Sequence, residues 1–254
     1  MSHYIYFNSN PITDPLFTLY DSIKYEFYEL LRFEGHLAKN EQDLIDWDII
    51  HGKKINAVMS GTDNKILYSG KLKSMPLYLR DTLTDESEKE GLGWKENETE
   101  RLWNTRLRIM PVLNAWFRTN KETIGQITFN VMAPGATLTH HWGLDRRYIR
   151  MHLCLKADPA CVFDIQGERH AWIEKELFGF DDGNVFHGTA HRGNDYRIIM
   201  MIDVLKDIIE PYAKTWPVNM AWSDWDGRKN RPPRNEWPES PNWKDLEDYV
   251  NWKG

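Results

Sequence analysis

The sequence predicts a mainly β fold with flanking helices, built on a double-stranded β-helix (jelly-roll, cupin-like) core. Three observations predict it. Runs rich in β-branched and large apolar residues recur at Ile124 to Met132, Tyr148 to Leu155, Cys161 to Ile165 and Tyr196 to Leu205. Turn signals punctuate them at Pro134-Gly135, Asp158-Pro159, Gly167 and Gly183, and short strands at such spacing form sandwiches or barrels. Helical periodicity, finally, is confined to the chain ahead of residue 124. At 254 residues the chain is long enough for one large domain with a real core.

In order, a short apolar opening from Tyr4 to Phe7 is followed by Asp14-Pro15, an N-cap and a proline at the first helical position. Phe17, Tyr20, Ile23, Phe27, Leu30 and Leu31 then recur at helical spacing, so one face of this helix should be buried. Residues 35 to 95 are mixed, with turn signals at His51-Gly52, Ser60-Gly61 and Ser69-Gly70 and an acidic stretch from Asp85 to Glu90. A second helical stretch from about Glu96 carries Leu102, Arg106, Ile109 and Leu113, with Pro111 set to kink or restart it. The strands follow, and the last fifty residues hold six of the twelve tryptophans among prolines and mixed charges. The expected organisation is an N-terminal helical and mixed extension (1–95), a helix plus jelly-roll core (96–207) and a tryptophan-rich tail (208–254), integrated into one domain.

Composition narrows the functional classes. A net charge of -6 offers no basic excess for a nucleic-acid partner. No run approaches the ~18 apolar residues that a bilayer demands, and the first residues have no signal-peptide pattern, so no membrane partner is expected. Two cysteines make no disulfide framework for this length, which suits a reduced, cytoplasmic protein. No P-loop or dinucleotide fingerprint is present.

The chemistry-bearing residues concentrate late: six of the nine histidines lie between His140 and His191. In an extended strand, residues i and i+2 share a face, so His141 and Gly143 look one way and Trp142 the other. An iron site of the two-histidine, one-carboxylate type would want Asp or Glu at that second position, and glycine cannot ligate. His187 follows the Gly183-Asn184 turn and precedes the final strand, which makes it the natural partner for His141. Two neutral imidazoles can hold Fe(II) with water in the carboxylate's place, and Asp182 is near enough to hold that water. The alternative is a pair of loop or core histidines.

Alternation places Arg197, Ile199, Met201 and Asp203 on one face of the last strand, and Arg150, His152 and Cys154 on one face of another. A buried guanidinium needs an anion. Asp181 or Asp195 could supply it, or two inward arginines could hold a small dicarboxylate such as 2-oxoglutarate at both ends.

The segment Gly125 to Val204 resembles the catalytic core of the aspartyl/asparaginyl β-hydroxylase family. The features, in order, are Gly125-Gln126-Ile127 ahead of an apolar strand, Pro134-Gly135, His141-x-Gly143, Arg150-x-His152-Leu153, Phe180-Asp181-Asp182, His187, Arg197 and Asp203-Val204. The resemblance covers about a third of the chain. It implies an Fe(II)- and 2-oxoglutarate-dependent dioxygenase with O2 as cosubstrate, His141 and His187 as iron ligands and Asp182 holding a water. It further implies Arg197 on the far carboxylate of 2-oxoglutarate, and Arg150 with His152 at its metal-binding end. Asn130 stands where the family has a serine that helps bind the far carboxylate. The run from Asp182 to His187 is one residue longer than the family pattern, so His191 remains the other candidate for the second ligand. His140, on the opposite face, is expected at the surface or behind the site.

The implied substrate is the β-carbon of an Asp- or Asn-like residue, free, peptidyl or carrier-bound. Arg146 and Arg147 either bind a substrate anion or form a solvated basic loop, and the tryptophan tail is a candidate lid. Two other functions suit such a barrel: a non-catalytic protein that binds a dicarboxylate, and a zinc-dependent cupin enzyme.

Overall fold

The computed structural model of the chain describes residues 2–33, 68–69, 72–79, 106–141, 143 and 147–214. The acidic stretch at 85–90, Arg146 and the tail from residue 215 onward, with its six tryptophans, lie outside the described residues. Among the described residues, ten strands form two antiparallel sheets that face each other. One sheet has the order β2 (Leu72–Leu79), β3 (Ile124–Met132), β10 (Arg197–Leu205), β5 (Tyr148–Lys156), β8 (Leu177–Phe180). The other runs β1 (Tyr68–Ser69), β4 (Thr137–His141), β9 (His187–His191), β6 (Cys161–Ile165), β7 (Glu168–Ala171). This is the jelly-roll arrangement with helices against one face.

The expected alternation decides which residues reach which layer. On the outer face of the larger sheet, Phe129 and Val131 of β3, Ile149, Met151 and Leu153 of β5, and Ile198, Met200 and Ile202 of β10 join the helices in one buried cluster. The inward residues, among them Met132, Cys154 and Ile199, form a second cluster with Phe163, Trp172, Phe178 and Phe180. Both faces of β5 and β10 are therefore covered, as their nearly continuous apolar runs imply.

The helical cover is α1 (Asp14–Thr18), α2 (Tyr20–Phe33) and α3 (Pro111–Asn120). The buried stripe is Leu16, Tyr20, Ile23, Phe27, Leu30 and Leu31, whereas Phe17 is 37% exposed. Leu16, four residues before Tyr20, continues the buried stripe of α2 back into α1, and Phe17 falls at its margin. Thr13, not Asp14, is the N-cap position, and the turn before it is tied by Asn10, whose Oδ1 accepts from the N–H groups of Ile12 and Thr13. Pro111 restarts a helix as expected, and the buried Glu26 of α2 caps it by accepting from Val112 N at 2.7 Å and Leu113 N at 3.1 Å. Phe27 packs on Phe129 with ring centroids 4.8 Å apart, joining α2 to the sheet.

The N-terminal segment extends the same structure. Ile5 pairs with Gly179 at the β8 edge through two 2.8 Å backbone bonds, and Phe7 bridges Ala213. Among the described residues, no helix is long and apolar enough to cross a membrane.

Candidate active site

Antiparallel pairing of β4 with β9 sets His141 directly opposite His187, and the ring centroids lie 4.4 Å apart at 54°. Both side chains are buried. Nδ1 of His187 lies 2.9 Å from the Val185 carbonyl oxygen, which can only accept, so Nδ1 carries the proton. Its Nε2 lies 3.2 Å from Asp182 Oδ1, a contact that a proton or a cation between the two atoms satisfies. Anchoring of the far ring nitrogen by a carbonyl is also how metal-binding histidines are oriented.

Asp182 enters the site through the backbone. Gly143 N donates to the Asp182 carbonyl oxygen at 2.6 Å, and a Cβ on Gly143 would lie 1.4 Å from Asp182 Oδ2. Glycine at 143 is thus a steric requirement: the Asp182 carboxylate fills the space that a side chain there would take. Burial pushes this carboxyl up, but Arg150 and the His187 and His141 rings outweigh it and hold Asp182 well below the usual carboxylate range. The loop is pinned by the neighbouring Asp181, whose Oδ2 accepts from Lys206 Nζ at 2.6 Å and Asn184 Nδ2 at 2.8 Å. Lys206 opens α4 (Lys206–Ile209), just past β10.

Arg150 differs from the expectation of a cosubstrate contact. Its Nε and Nη2 each meet a carboxylate oxygen of Asp203 at 2.8 Å, and its Nη1 meets Asp182 Oδ1 at 2.8 Å. Asp203 and Arg150 are cross-strand neighbours on the inward face of β10 and β5, so a fork-on-carboxylate pair forms where the sequence suggested a free cation. Arg150 here orients and keeps ionised the carboxylate beside His187.

Arg197 is the reverse case. It is 4% exposed, and Nε and Nη1 have no hydrogen-bond partner among the described residues. Nη2 reaches the thioether sulfur of Met132 at 3.3 Å, the guanidinium also meets the Cys161 thiol, and it lies over the Trp172 ring, 4.6 Å from its centroid. The two carboxylates that could have neutralised it are engaged elsewhere, Asp181 with Lys206 and Asp195 with Lys156 at 2.9 Å. Burial lowers its pKa from the ordinary arginine value, yet a guanidinium does not give up its proton in a protein. A buried cation without a carboxylate is costly, and an anion beside it would relieve that cost.

His152 shares that interior. Among the described residues neither of its buried ring nitrogens has a partner, and burial, followed by Arg197 and Arg150, pushes its pKa well below 6.5, so the ring is neutral. Asn130 also faces inward and donates to the Met201 sulfur at 2.9 Å. Phe180 and Phe163 pack on His187 at 4.9 and 5.7 Å, walling the site with hydrocarbon.

Other expectations resolve by geometry. His191 is held in its own loop, Nε2 2.5 Å from the Asp195 carbonyl oxygen and Nδ1 accepting from Gly193 N at 3.1 Å, so His187 is the histidine that faces His141. His140 is not at the surface: it is buried on the other face of β4, with Nε2 2.8 Å from Asp164 Oδ1. Arg147 lies over the Tyr148 ring at 5.3 Å, outside the histidine cluster. Among the described residues, no three His, Cys, Asp or Glu side chains form a ready metal cage. Sequence reasoning missed the part played by Trp172 and the Lys206–Asp181 tie, for neither has a periodic or motif signal.

The family model for aspartyl/asparaginyl beta-hydroxylase matches residues 73–207. The chain belongs to that family. The match starts at the second residue of β2 and runs into α4, so the family region includes the rest of the larger sheet and both histidine strands. Curated members of the hydroxylase family align more narrowly. Human aspartate beta-hydroxylase domain-containing protein 2 is 32% identical over 86 residues, 33% of this chain and 23% of that protein. Mouse aspartate beta-hydroxylase domain-containing protein 1 is 33% identical over 86 residues, 33% of this chain and 24% of that protein. The chain thus spans about a quarter of the length of these relatives. Among solved structures, a predicted oxalate decarboxylase from Thermotoga maritima is 15% identical with a TM-score of 0.30, covering 35% of this chain and 73% of its own. A cupin 2 conserved barrel domain protein from Salinispora arenicola is 9% identical with a TM-score of 0.27, covering 34% and 67%. The architecture of this hydroxylase-family chain rests on the strand pairings above.

Proposed function

We propose that this hydroxylase-family protein is an Fe(II)- and 2-oxoglutarate-dependent dioxygenase acting on an unactivated C–H bond, the β-carbon of an Asp- or Asn-like residue. The observation that carries the reading is the fully buried Arg197 guanidinium, without a carboxylate partner, on the same barrel interior as the His141 and His187 pair. The donor set suits these groups. Two imidazoles are borderline nitrogen ligands of the kind Fe(II) accepts, an ionised Asp182 can hold a water beside them, and a buried guanidinium without a carboxylate is a carboxylate receptor. Iron(II), when bound with 2-oxoglutarate and O2, supplies the oxidising power that no amino-acid side chain has.

The chain's own residues do the rest. His141 and His187 hold the metal, the latter fixed in tautomer by Val185. Asp182, turned inward by Arg150, accepts a hydrogen bond from a water beside the imidazoles. Arg197 receives the far carboxylate of 2-oxoglutarate, with the amide of Asn130 as a second donor. His152, neutral and unpartnered, offers a ring nitrogen at the other end. Phe163 and Phe180 keep bulk water from the histidines.

The substrate is a free, peptidyl or carrier-bound Asp or Asn residue, and the reaction belongs in the cytoplasm, where the buried thiols Cys154 and Cys161 stay reduced. Incubation with Fe(II), 2-oxoglutarate and O2 should give succinate, stimulated by the right Asp or Asn compound. H141A and R197A should each abolish it. Dicarboxylate binding without any succinate would favour a non-catalytic binding protein, and activity sustained by zinc without O2 would favour a cupin hydrolase or isomerase.

A further inference from the structure

Trp172, which follows β7 at the wall of the barrel interior, is 2% exposed, and its Nε1 has no acceptor among the described residues. The other buried tryptophan on an element packed against the sheets, Trp116, donates its Nε1–H to the Ile12 carbonyl oxygen at 2.9 Å. A buried indole N–H ordinarily finds such a partner, and leaving it without one is costly.

The surroundings of Trp172 explain the difference. One ring contact is the Arg197 guanidinium at 4.6 Å, and another is His152, stacked at 6.0 Å and 27°. Phe163 at 5.4 Å and Phe178 at 6.5 Å pack against the same ring and fix it. Nε and Nη1 of Arg197, both nitrogens of His152 and Nε1 of Trp172 are all buried and unpartnered. Orphaned polar atoms on three side chains that Trp172 joins together are the signature of a site shaped around a polar ligand.

We propose that Trp172 is a further ligand-binding residue of the dicarboxylate site: its ring face holds the Arg197 guanidinium in place, and its indole N–H donates to the carboxylate that Arg197 receives. This rests on the reading of Arg197 as the carboxylate-binding residue. A guanidinium over an indole is a cation–π pair, which stabilises the ligand-free state of an otherwise unpaired charge. The carboxylate then meets two kinds of donor, a charged fork and a neutral N–H.

The test is binding of 2-oxoglutarate to the Fe(II)-loaded protein without O2, by calorimetry, together with the thermal midpoint of the ligand-free protein. W172F keeps an aromatic face and removes the donor. Its dissociation constant should rise by about tenfold or more, while the ligand-free midpoint holds or rises because an unsatisfied donor has gone. W172H, which keeps a ring N–H, should recover part of the affinity. Wild-type affinity in W172F overturns the inference, provided that R197A abolishes binding in the same assay. Equal weakening in W172F and W172H with lowered midpoints also overturns it, since that pattern is packing alone. If the wild-type protein itself binds no 2-oxoglutarate, the reading of Arg197 fails and this inference falls with it.

Discussion

Arg150 and Arg197 are both inward-facing arginines on neighbouring strands of one sheet, and they do opposite things. Arg150 is saturated by Asp203 and Asp182, whereas Arg197 has two nitrogens without partners. Replacement by methionine separates them. R150M strands two buried carboxylates and should lower stability by about 3 kcal/mol or more in chemical denaturation, the range for breaking a buried pair. R197M removes an unpaired cation and should leave ligand-free stability unchanged or higher while abolishing the response to 2-oxoglutarate. A larger loss of stability in R197M than in R150M would contradict this assignment. The sequence showed both arginines inward by alternation, but it could not show which had a partner, because Asp203 reaches Arg150 only across the β5–β10 register. Two further residues give a simpler expectation. Cys154 and Cys161 are buried, and burial pushes both thiols up to about 12. Neither should react with a thiol-directed chromophore at neutral pH in the native protein, and both should react in denaturant. Rapid labelling of the native protein would show that the barrel interior is open.

At the level of elements, the site depends on one strand pair and the stability of the fold on one helix face. β4 and β9 are five residues each, too short for a strong periodic signal, yet their register places His141 opposite His187. The long strands β3, β5 and β10 were legible because nine-residue apolar runs announce themselves. By contrast β7, β8 and β9 were not, since segments such as Leu-Phe-Gly-Phe or His-Gly-Thr-Ala-His are held by their neighbours rather than by their own pattern. The face of α2 is legible from spacing, and its continuation into α1 falls on Leu16 and not on the larger Phe17, because the i, i+4, i+7 spacing back from Phe27 reaches Tyr20, Ile23 and Leu16. Phe27, fully buried against Phe129, is the centre of that face. F27A should cost about 3–5 kcal/mol, measured by denaturant unfolding, and should leave any dicarboxylate affinity of the folded fraction intact, because α2 lies across the sheet from the histidines. A loss under about 1 kcal/mol would mean that the helix is not docked as described.

For the whole molecule, the buried titratable groups set the acid limit. His152 and His191 have pKa values below 6.5, chiefly through burial. Their unfolded forms therefore bind protons first as pH falls, so their contribution to stability is full above about 6.5 and drains away below it. Asp182, held well below 3.8, acts in the same direction at still lower pH. Asp181, raised by burial, acts in the opposite direction, since the folded state takes its proton first. The ligand-free protein should show a thermal midpoint that is level above about pH 7 and falls as pH drops toward about 5. A midpoint that rises on acidification through this range would contradict the neutral, buried state of His152. The two layers of the barrel follow from alternation along three long strands, but the polarity of its interior does not. It is set by Trp172, Met132, Asp203 and Lys206, which come from separate elements and meet only when the sheets face each other.

His141, His187 and Arg197 are proposed to form together a receptor for Fe(II) and 2-oxoglutarate. The most direct measurement is a titration of the protein with 2-oxoglutarate at saturating Fe(II) and without O2, read by visible absorption. A weak charge-transfer band that saturates in the wild-type protein and is missing from H141A and R197A is the predicted result. A wild-type protein that develops no band at saturating metal and 2-oxoglutarate would contradict the account.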